Sequence, residues 1–234
     1  MAKKVKLIDI HSHIIPDVDD GARNFAESLM MLEMMVEQGV TDVVATPHVN
    51  SNATRATWER QVSQFKLLKE KAAHLDINIH LGAEVKYRKY LITEYKKYTF
   101  ENTNYILMEF SWETEEDIFG VLEMLQKEGL KPIMAHIERY TYLTLEDYKE
   151  MKKRGILLQV NGNAVLGKGR ELWVHNAKTL VQERLVDFIA TDTHNTEHRA
   201  PDMKKAYEHL SHKLDENYLN DIFYNNQLKL LNPE

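Results

Sequence analysis

Histidine and carboxylate side chains recur along this chain, most of them directly after short apolar segments. The residues in question are His11, His13, Asp20, His48, Glu84, Glu109, His136, Asp192 and His194. Imidazole nitrogens and carboxylate oxygens are common ligands of divalent transition metals. Side chains at the same end of successive parallel strands can converge in space. The sequence therefore predicts a metal site assembled from several strands, which favours an enzyme.

Each of these residues is weak evidence when it is taken alone. Two histidines at a strand end, such as His11 and His13, are more typical of a polar loop than of a metal site. Glu84 and Glu109 are more informative, because each follows an apolar strand and would be partly buried, where an unpaired carboxylate is unfavourable. A bound cation would make that placement tolerable. The joint occurrence of these residues favours the metal site.

The elements that must position these side chains alternate between short β-like segments and longer helical ones. We predict strands at Val5–His11, Asp42–Thr46, Ile77–Glu84, Tyr105–Phe110, Pro132–His136, Ile156–Asn161 and Val186–Thr191. Their Ile, Val and Leu content is typical of strands buried on both faces. The predicted helices are Phe25–Gln38 with Asn24 as N-cap, Glu115–Glu128 with Thr114 as N-cap, and Leu145–Arg154 with Thr144 as N-cap.

Strands that alternate with helices at this spacing predict parallel βαβ units. About seven such units in 234 residues favour an α/β fold in which residues 1–234 form a single barrel or near-barrel domain. The polar residues fall at the C-terminal ends of the predicted strands, where parallel barrels carry their active sites. We therefore expect the metal site at that end of the sheet.

Composition narrows the chemistry further. The chain contains no cysteine, which excludes disulfides, thiolate metal ligands and a cysteine nucleophile. The formal net charge of −6 argues against nucleic-acid binding. With no long apolar run and no signal-like start, we expect no membrane insertion and a cytoplasmic location. The basic stretch Lys86–Lys97 is interpreted as part of a solvated amphipathic helix over Lys86–Tyr98, with binding of an acidic tail or a membrane surface as the alternative.

Several motifs of the chain carry a family resemblance. They are Asp9-Ile10-His11-Ser12-His13, Asp17-Val18-Asp19-Asp20-Gly21, Ala45-Thr46-Pro47-His48, Gly82-Ala83-Glu84, Leu107-Met108-Glu109-Phe110, Ala135-His136-Ile137-Glu138-Arg139, Gln159-Val160-Asn161 and Asp192-Thr193-His194-Asn195. Together they resemble the polymerase-and-histidinol-phosphatase superfamily, and more narrowly its bacterial tyrosine-protein phosphatase branch of the CpsB/YwqE type. The resemblance implies a distorted (β/α)7 TIM-like barrel that holds three divalent metal ions, with Mn²⁺ expected and Fe or Zn as alternatives.

Mapped by motif, the resemblance implies three ligand groups. They are His11, His13, Glu84 and Asp192 for one ion, Glu84, Glu109 and His136 for a second, and Asp20, His48 and His194 for the third. In the acidic loop only Asp20 is expected to be a ligand, with Asp17 and Asp19 as solvated carboxylates.

The resemblance also implies which residues act on the substrate. Arg139 would contact the substrate phosphate, and Arg199 would be a second basic residue near it. Catalytic roles are implied for Arg139 and for three of the ligands, His136, Asp192 and His194. In the implied mechanism a metal-bound hydroxide attacks phosphorus while Arg139 neutralises charge on the phosphoryl oxygens.

The implied function is hydrolysis of phosphotyrosine on the tail of a membrane-associated bacterial tyrosine autokinase, which regulates capsule or exopolysaccharide synthesis. An alternative on the same scaffold is a phosphoesterase for a small molecule such as histidinol phosphate or a nucleotide. The loops Asn50–Thr57 and Tyr140–Thr144 would separate these two substrates. A metal-stabilised interaction module without turnover is a third reading, and the complete ligand set argues against it.

Overall fold

The structure is a computed structural model that describes residues 5–89 and 94–232. Its strands are β1 (Leu7–Ser12), β2 (Val40–Ala45), β3 (His48–Val49), β4 (Asn78–Leu81), β5 (Glu84–Lys86), β6 (Tyr105–Glu109), β7 (Lys131–Met134), β8 (Leu157–Asn161) and β9 (Phe188–Ala190). Its helices are α1 (Phe25–Gln38), α2 (Trp58–Lys71), α3 (Ile118–Lys127), α4 (Leu145–Lys153), α5 (Gly162–Val165), α6 (Glu171–Gln182), α7 (Met203–Ser211), α8 (Glu216–Asn220) and α9 (Asn226–Leu231). Short 3₁₀ turns lie at Tyr95–Tyr98 and Ile137–Arg139, and a π-helical turn lies at Asp221–Asn225.

The strands form a curled parallel sheet in two hydrogen-bonded sections. One section has the order β1-β2-β4 and the other has the order β3-β5-β6-β7-β8-β9. The far ends of the two sections approach each other, because Ser12 and Thr193 form an isolated parallel bridge. The buried Asp9 carboxylate also accepts hydrogen bonds from the Thr191 backbone N–H at 3.0 Å and the Thr191 hydroxyl at 2.5 Å. These contacts hold β9 beside β1.

Six of the seven predicted strands occur as single strands whose ends differ from prediction by at most two residues. The prediction of one continuous strand over Ile77–Glu84 was wrong, because the chain breaks between β4 and β5 at Gly82. A Cβ atom on Gly82 would lie 2.5 Å from the Phe100 ring, so the chain passes this ring without a side chain. The short strand β3 follows Pro47, which has no N–H to continue the ladder of β2.

Helix α1 has the predicted bounds and the predicted cap. The Asn24 side chain accepts a hydrogen bond from the Glu27 N–H at 3.0 Å, and Gly39 ends the helix at φ 88°. Helix α4 also begins at the predicted residue. Its N-cap Thr144 exchanges hydrogen bonds with Asp147 in a capping box.

Two predicted helical segments were wrong. Helix α3 begins at Ile118 rather than Glu115, because Asp117 is the residue whose side chain accepts from the N–H of Gly120. The predicted helix over Lys86–Tyr98 is absent at both of its described ends, since Lys86 ends β5 and Tyr95–Tyr98 form a 3₁₀ turn. Its central residues 90–93 lie outside the described residues.

The sheet is buried on both faces. Neighbouring residues of one strand join different apolar clusters, as Leu107 and Met108 do in β6, and Ile133 and Met134 do in β7. This explains why the strands read as continuous apolar segments. Within the described ranges, no helix is long and apolar enough to cross a membrane.

Candidate metal centre and substrate cavity

Four ligand-type atoms from His11, His13, Glu84 and Asp192 converge in one buried cluster. The Nε2 atoms of His11 and His13 lie 3.4 Å apart, and each lies 3.3 Å from Glu84 Oε2. Asp192 Oδ1 lies 3.6 Å from His11 Nε2 and 3.4 Å from His13 Nε2. Four ligands at about 2 Å around one tetrahedral ion would be separated by about 3.4 Å. The spacing of the first predicted group therefore fits a single divalent ion.

A second cluster joins Asp20, His48 and His194 beside the first. Asp20 Oδ1 lies 3.5 Å from His48 Nε2 and 3.4 Å from His194 Nε2. His13 lies between the clusters, and these four residues offer ligand atoms within 4.8 Å of one another. The Asp20 side chain is 42% exposed, whereas the histidines are nearly enclosed, so this cluster opens towards solvent.

Glu84 connects the third predicted group to the other two. Its Oε1 accepts a hydrogen bond from His136 Nε2 at 2.8 Å, while its Oε2 lies 3.0 Å from His48 Nδ1. Glu109 Oε1 lies 4.0 Å from His136 Nε2, and Glu109 also shares a candidate ligand group with His48 and Glu84. The two oxygens of Glu84 thus face different sets of side chains, as a bridging carboxylate would require.

Burial governs the protonation of this centre. Burial, together with the neighbouring Glu84 carboxylate, raises the pKa of Glu109 to about 7. It lowers the pKa of His136 to about 3, with a further contribution from Arg139. It also lowers the pKa of His194 to about 4. Both histidines are therefore neutral at pH 7, which is the form of imidazole that binds metals.

Two buried side chains orient the histidines of the first cluster. His11 Nδ1 donates to Gln159 Oε1 at 3.1 Å, and His13 Nδ1 donates to Asp19 Oδ2 at 2.9 Å. A proton on Nδ1 leaves the Nε2 lone pair for the centre of the cluster. Asp19 is 1% exposed and also accepts from the backbone N–H of His48. The prediction that Asp19 is a solvated carboxylate was therefore wrong.

The backbone turns sharply at two site residues. His136 has φ 35° and Asp192 has φ 53°, both in the left-handed region that non-glycine residues rarely occupy. The N–H of His136 donates to Gln159 Oε1 at 2.8 Å, and the N–H of Asp192 donates to the carbonyl of His11 at 2.9 Å. These hydrogen bonds hold the strained residues in place, and such strain is frequent at functional sites.

The outer oxygen of Asp192 is surrounded by donors. Its Oδ2 accepts from Arg139 at 2.6 Å and from Asn161 Nδ2 at 2.8 Å, and Arg199 NH2 lies 2.7 Å away. Although burial opposes ionisation, Arg199, His11 and Arg139 hold the pKa of Asp192 well below its usual range. Both arginines predicted to contact phosphate therefore lie at this carboxylate, beside the ligand cluster.

A cavity of about 380 Å³ adjoins the clusters. Its lining includes seven predicted site residues, namely Asp20, His48, Glu84, Glu109, Arg139, Asp192 and Arg199. It also includes residues that were not predicted to belong to the site, such as Lys86, Ser111 and Trp112. Trp112 lies under two cations, with Lys86 Nζ 5.1 Å and Arg139 Cζ 5.6 Å from its ring centroid. The cavity can admit a small anion or a side chain that carries one.

The donor set fits divalent cations on its own chemistry. Within the part of the chain that the structure describes, Glu84 Oε2, His194 Nε2 and His136 Nδ1 are buried and have no hydrogen-bond partner. Buried polar atoms are normally satisfied, and unsatisfied ones indicate a missing water or ion. Ions bound between the clusters would satisfy the first two of these atoms. The nine predicted ligands lie together, whereas their occupancy and the ligand assignment stay predictions.

Sequence reasoning missed the roles of Asp19, Lys86 and Trp112. Asp19 was misjudged because the adjacent Asp17 and Asp20 gave no signal as to which carboxylate turns inwards; Asp17 is indeed exposed and pairs with Arg60 at 2.7 Å. Lys86 carried a usable signal, since it stands two residues after Glu84 and so shares its face in a strand. This relation was not recognised because a helix was predicted over that segment.

Solved structures share the fold of this chain. A phosphotriesterase homology protein from Escherichia coli superposes with a TM-score of 0.68 at 11% identity, covering 98% of this chain and 99% of that chain, which shows the fold alone. A structure of YwqE from Bacillus subtilis and CpsB from Streptococcus pneumoniae, described as unique metal-dependent tyrosine phosphatases, superposes with a TM-score of 0.87. It is 25% identical and covers 97% of this chain and 95% of that chain.

Sequence comparison gives the family. Residues 7–232 match the family described as "Capsular polysaccharide synthesis, CpsB/CapC". The tyrosine-protein phosphatase CpsB of Streptococcus agalactiae is 31% identical over 238 residues, covering 96% of this chain and 98% of that protein. The tyrosine-protein phosphatase YwqE of Bacillus subtilis is 30% identical over 210 residues, covering 82% and 79%. The chain therefore belongs to the CpsB/CapC family, and the predicted resemblance is confirmed.

Proposed function

We propose that this chain is a metal-dependent protein-tyrosine phosphatase. The observation that carries the proposal is the buried cluster of His11, His13, Glu84 and Asp192, with Arg139 at its edge and a cavity beside it. The curated relatives that share its full length are named tyrosine-protein phosphatases. The site supplies what hydrolysis of a phosphate monoester needs, namely ligands for cations, fixed guanidinium groups and room for the ester.

We further propose that the two sections of the sheet act as one distorted barrel of seven βα units. The pairing of β2 with β4 and of β3 with β5 supports this, because each of these two barrel positions is then a strand with one break. The metal site would lie at the C-terminal ends of the strands. It would hold three ions, with Mn²⁺ expected and Fe or Zn as alternatives, in the three ligand groups given above.

Bound divalent ions would supply a hydroxide near neutral pH and positive charge for the phosphoryl oxygens. The protein contributes the remaining chemistry. Arg139 and Arg199 are held at Asp192 Oδ2 and present their other N–H groups to the phosphoryl oxygens, which are good bidentate acceptors. Neutral His136 and His194 stay unprotonated at pH 7, so they remain ligands rather than competing for protons.

The substrate that we propose is a phosphotyrosine in the tail of a membrane-associated bacterial tyrosine kinase, acting in capsule or exopolysaccharide synthesis. The family description names capsular polysaccharide synthesis, which supports this setting. The cavity also suits a side chain at the end of a flexible peptide, because exposed residues such as Asn52 and Glu113 form part of its lining.

The experiment that tests the function begins with protein stripped by a chelator. Mn²⁺ is then restored, and phosphate release is measured from a phosphotyrosine peptide and from histidinol phosphate in parallel. We expect release from the peptide only when metal is present. Release from histidinol phosphate alone would favour the small-molecule phosphoesterase, and silence on both with metal bound would overturn the phosphatase.

His136→Ala should remove metal and activity together, because His136 Nε2 lies 2.8 Å from Glu84 Oε1, and Glu84 belongs to two of the proposed ligand groups. We expect a loss of at least about 100-fold in kcat/KM and a lower metal content per chain. His74→Ala is the matched control, since His74 is exposed and bonds the backbone of its own helix end. Full activity in the His136 variant would contradict the proposed site.

A further inference from the structure

Lys86 lies in the wall of the cavity next to the candidate metal centre. It stands two residues after Glu84 in β5, so the two side chains share one face of the strand. On the adjacent strand β6, the residue paired with Lys86 is Glu109. The strand geometry therefore sets a lysine directly above two of the candidate ligands.

The ammonium group of Lys86 is held in place by three neighbours. Its Nζ donates to the carbonyl of Phe110 at 2.5 Å, lies 3.4 Å from Glu109 Oε1, and lies 5.1 Å from the ring centroid of Trp112. An ammonium group carries three N–H donors. The described residues provide two oxygen acceptors, so one donor is available to a ligand in the cavity. A fixed cation with a spare donor is preorganised for an anionic substrate atom.

The depth of Lys86 in the cavity indicates which substrate atom it contacts. Glu84 and Glu109 at the base of the cavity are 1% and 5% exposed at their side chains, whereas Lys86 is 19% exposed. Asn52 and Glu113, which also line the cavity, are exposed residues. An aryl phosphate that enters with its phosphoryl group towards the base places its aromatic ring near the rim. The oxygen that joins phosphorus to the ring then lies at the intermediate depth of Lys86.

Lys86 is also separate from the two arginines of the site. Arg139 and Arg199 both hold Asp192 Oδ2, while Lys86 holds Glu109 Oε1. The arginines and the lysine are therefore held at the cavity by different carboxylates. The two arginines suit the non-bridging phosphoryl oxygens. Lys86 then suits the bridging oxygen, which joins phosphorus to the aromatic ring.

We propose that Lys86 is a catalytic residue that contacts the bridging oxygen of the substrate and stabilises negative charge on it during hydrolysis. The role rests on the proposed phosphatase function. In the reaction a water oxygen bonds to phosphorus, and the bond from phosphorus to the tyrosyl oxygen breaks with its electron pair passing to that oxygen. One proton of the water ends on the tyrosyl oxygen, so the products are tyrosine and inorganic phosphate. The ammonium group stays protonated throughout and acts by its charge.

The test is the dependence of kcat on the leaving group, measured with the metal-loaded full chain. A series of aryl phosphates from 4-nitrophenyl to tyrosyl varies the basicity of the leaving oxygen. Lys86→Met removes the charge and keeps the apolar stem, Lys86→Arg keeps a charge, and Lys96→Met is the control from the same basic stretch. Lys96 is exposed and outside the cavity lining. Metal content and thermal unfolding of each variant are measured as readouts that do not depend on turnover.

We expect Lys86→Met to lower kcat about 100-fold on tyrosyl phosphate and less than about tenfold on 4-nitrophenyl phosphate, because a poor leaving group needs the cation most. The slope of log kcat against leaving-group pKa should steepen in Lys86→Met and stay near that of the wild type in Lys86→Arg and Lys96→Met. The slope is independent of the fraction of chains that is folded and metal-loaded. It therefore decides the question even for a partly inactive variant.

An equal loss on every substrate would overturn the proposal and assign Lys86 to the support of Glu109. A wild type that hydrolyses aryl phosphates but no phosphotyrosine peptide would contradict the proposed protein substrate, while the slope would still test Lys86. A wild type active on the peptide, with an unchanged slope in Lys86→Met, would contradict only the role of the lysine.

Discussion

Asp192 and Glu109 are both buried carboxylates at the C-terminal ends of strands of one sheet, yet their surroundings are opposite. Asp192 Oδ2 lies within 2.7 Å of both Arg139 and Arg199, and its pKa is held well below the usual range although burial opposes this. Glu109 has one cation, Lys86, at 3.4 Å, and burial together with Glu84 raises its pKa to about 7. The protein itself neutralises one carboxylate and leaves the other short of positive charge.

This difference separates two kinds of candidate ligand. Asp192 is an anion before any ion binds, so its geometry is set by the fold. Glu109, with a pKa of about 7, is only partly ionised near pH 7, and the positive charge of a divalent ion would favour its anionic form. Metal binding should therefore release a proton at Glu109 and leave Asp192 unchanged. Variants at the two positions are expected to behave differently.

The largest effect is expected for Asp192→Asn. The change removes a candidate ligand and also leaves Arg139 and Arg199 without their shared anion. Loss of one partner of a buried ion pair costs about 3 kcal/mol or more of unfolding free energy. We expect kcat/KM to fall at least about 1000-fold and the metal-free protein to unfold at a lower temperature, measured by kinetics and by calorimetry.

Asp17→Asn is the matched control for that variant. Asp17 is 61% exposed and pairs with Arg60 on the surface, where ion pairs contribute less than about 1 kcal/mol. It should change neither activity nor the unfolding temperature appreciably. If metal-free Asp192→Asn were as stable as the metal-free wild type, Arg139 and Arg199 would not depend on this carboxylate. That result would contradict the contrast drawn between Asp192 and Glu109.

The sequence was sufficient to predict the ligand types and the parallel strands that carry them. Most predicted strands were strongly apolar and had a histidine or a carboxylate at or just after their C-terminal end, as with Glu109 at the end of β6 and His136 after β7. The asymmetry between Asp192 and Glu109 could not be predicted, because it depends on Arg199 and Lys86 reaching them across the fold. Local patterns report periodicity, and they do not report which distant charge a side chain meets.

The errors of prediction have the same origin. The break between β4 and β5 arises where Phe100 packs against Gly82, a contact between residues far apart in the chain. Asp19 was expected to be solvated, and its burial depends on His13 and on the backbone of His48. Helix α1 was predicted correctly because its cap and stop signals lie within the segment itself. Predictions succeeded where local chemistry decided the outcome.

A smaller effect is expected for Asn161→Ala, which removes a hydrogen-bond donor to Asp192 but no candidate ligand. Asn161 Nδ2 donates to Asp192 Oδ2 at 2.8 Å, and its Oδ1 accepts from Gln159 Nε2 at 2.8 Å. Loss of such an outer partner typically lowers metal affinity about 10- to 100-fold. We expect this loss in a titration against a competing chelator, with Asn78→Ala as an exposed control. Unchanged affinity would mean that the arginines alone fix Asp192.

The effect expected for Glu109→Gln is confined to the pH dependence of stability in the metal-free protein, and it concerns the other carboxylate of the comparison. The pKa of Glu109 rises from 4.5 to about 7 on folding, so between these values the folded state binds a proton that the unfolded state has lost. Stability from this group is therefore present at low pH and falls as pH rises through that window, by at most about 3 kcal/mol. Glutamine has no charge to bury, so the variant should lose less stability from pH 5 to pH 8.

Denaturant unfolding of the wild type and the variant at both pH values measures this difference in stability. Groups that titrate in both proteins, such as Asp9, cancel in the comparison. A variant that loses as much stability as the wild type would mean that Glu109 is already neutralised without metal, and the contrast with Asp192 would disappear.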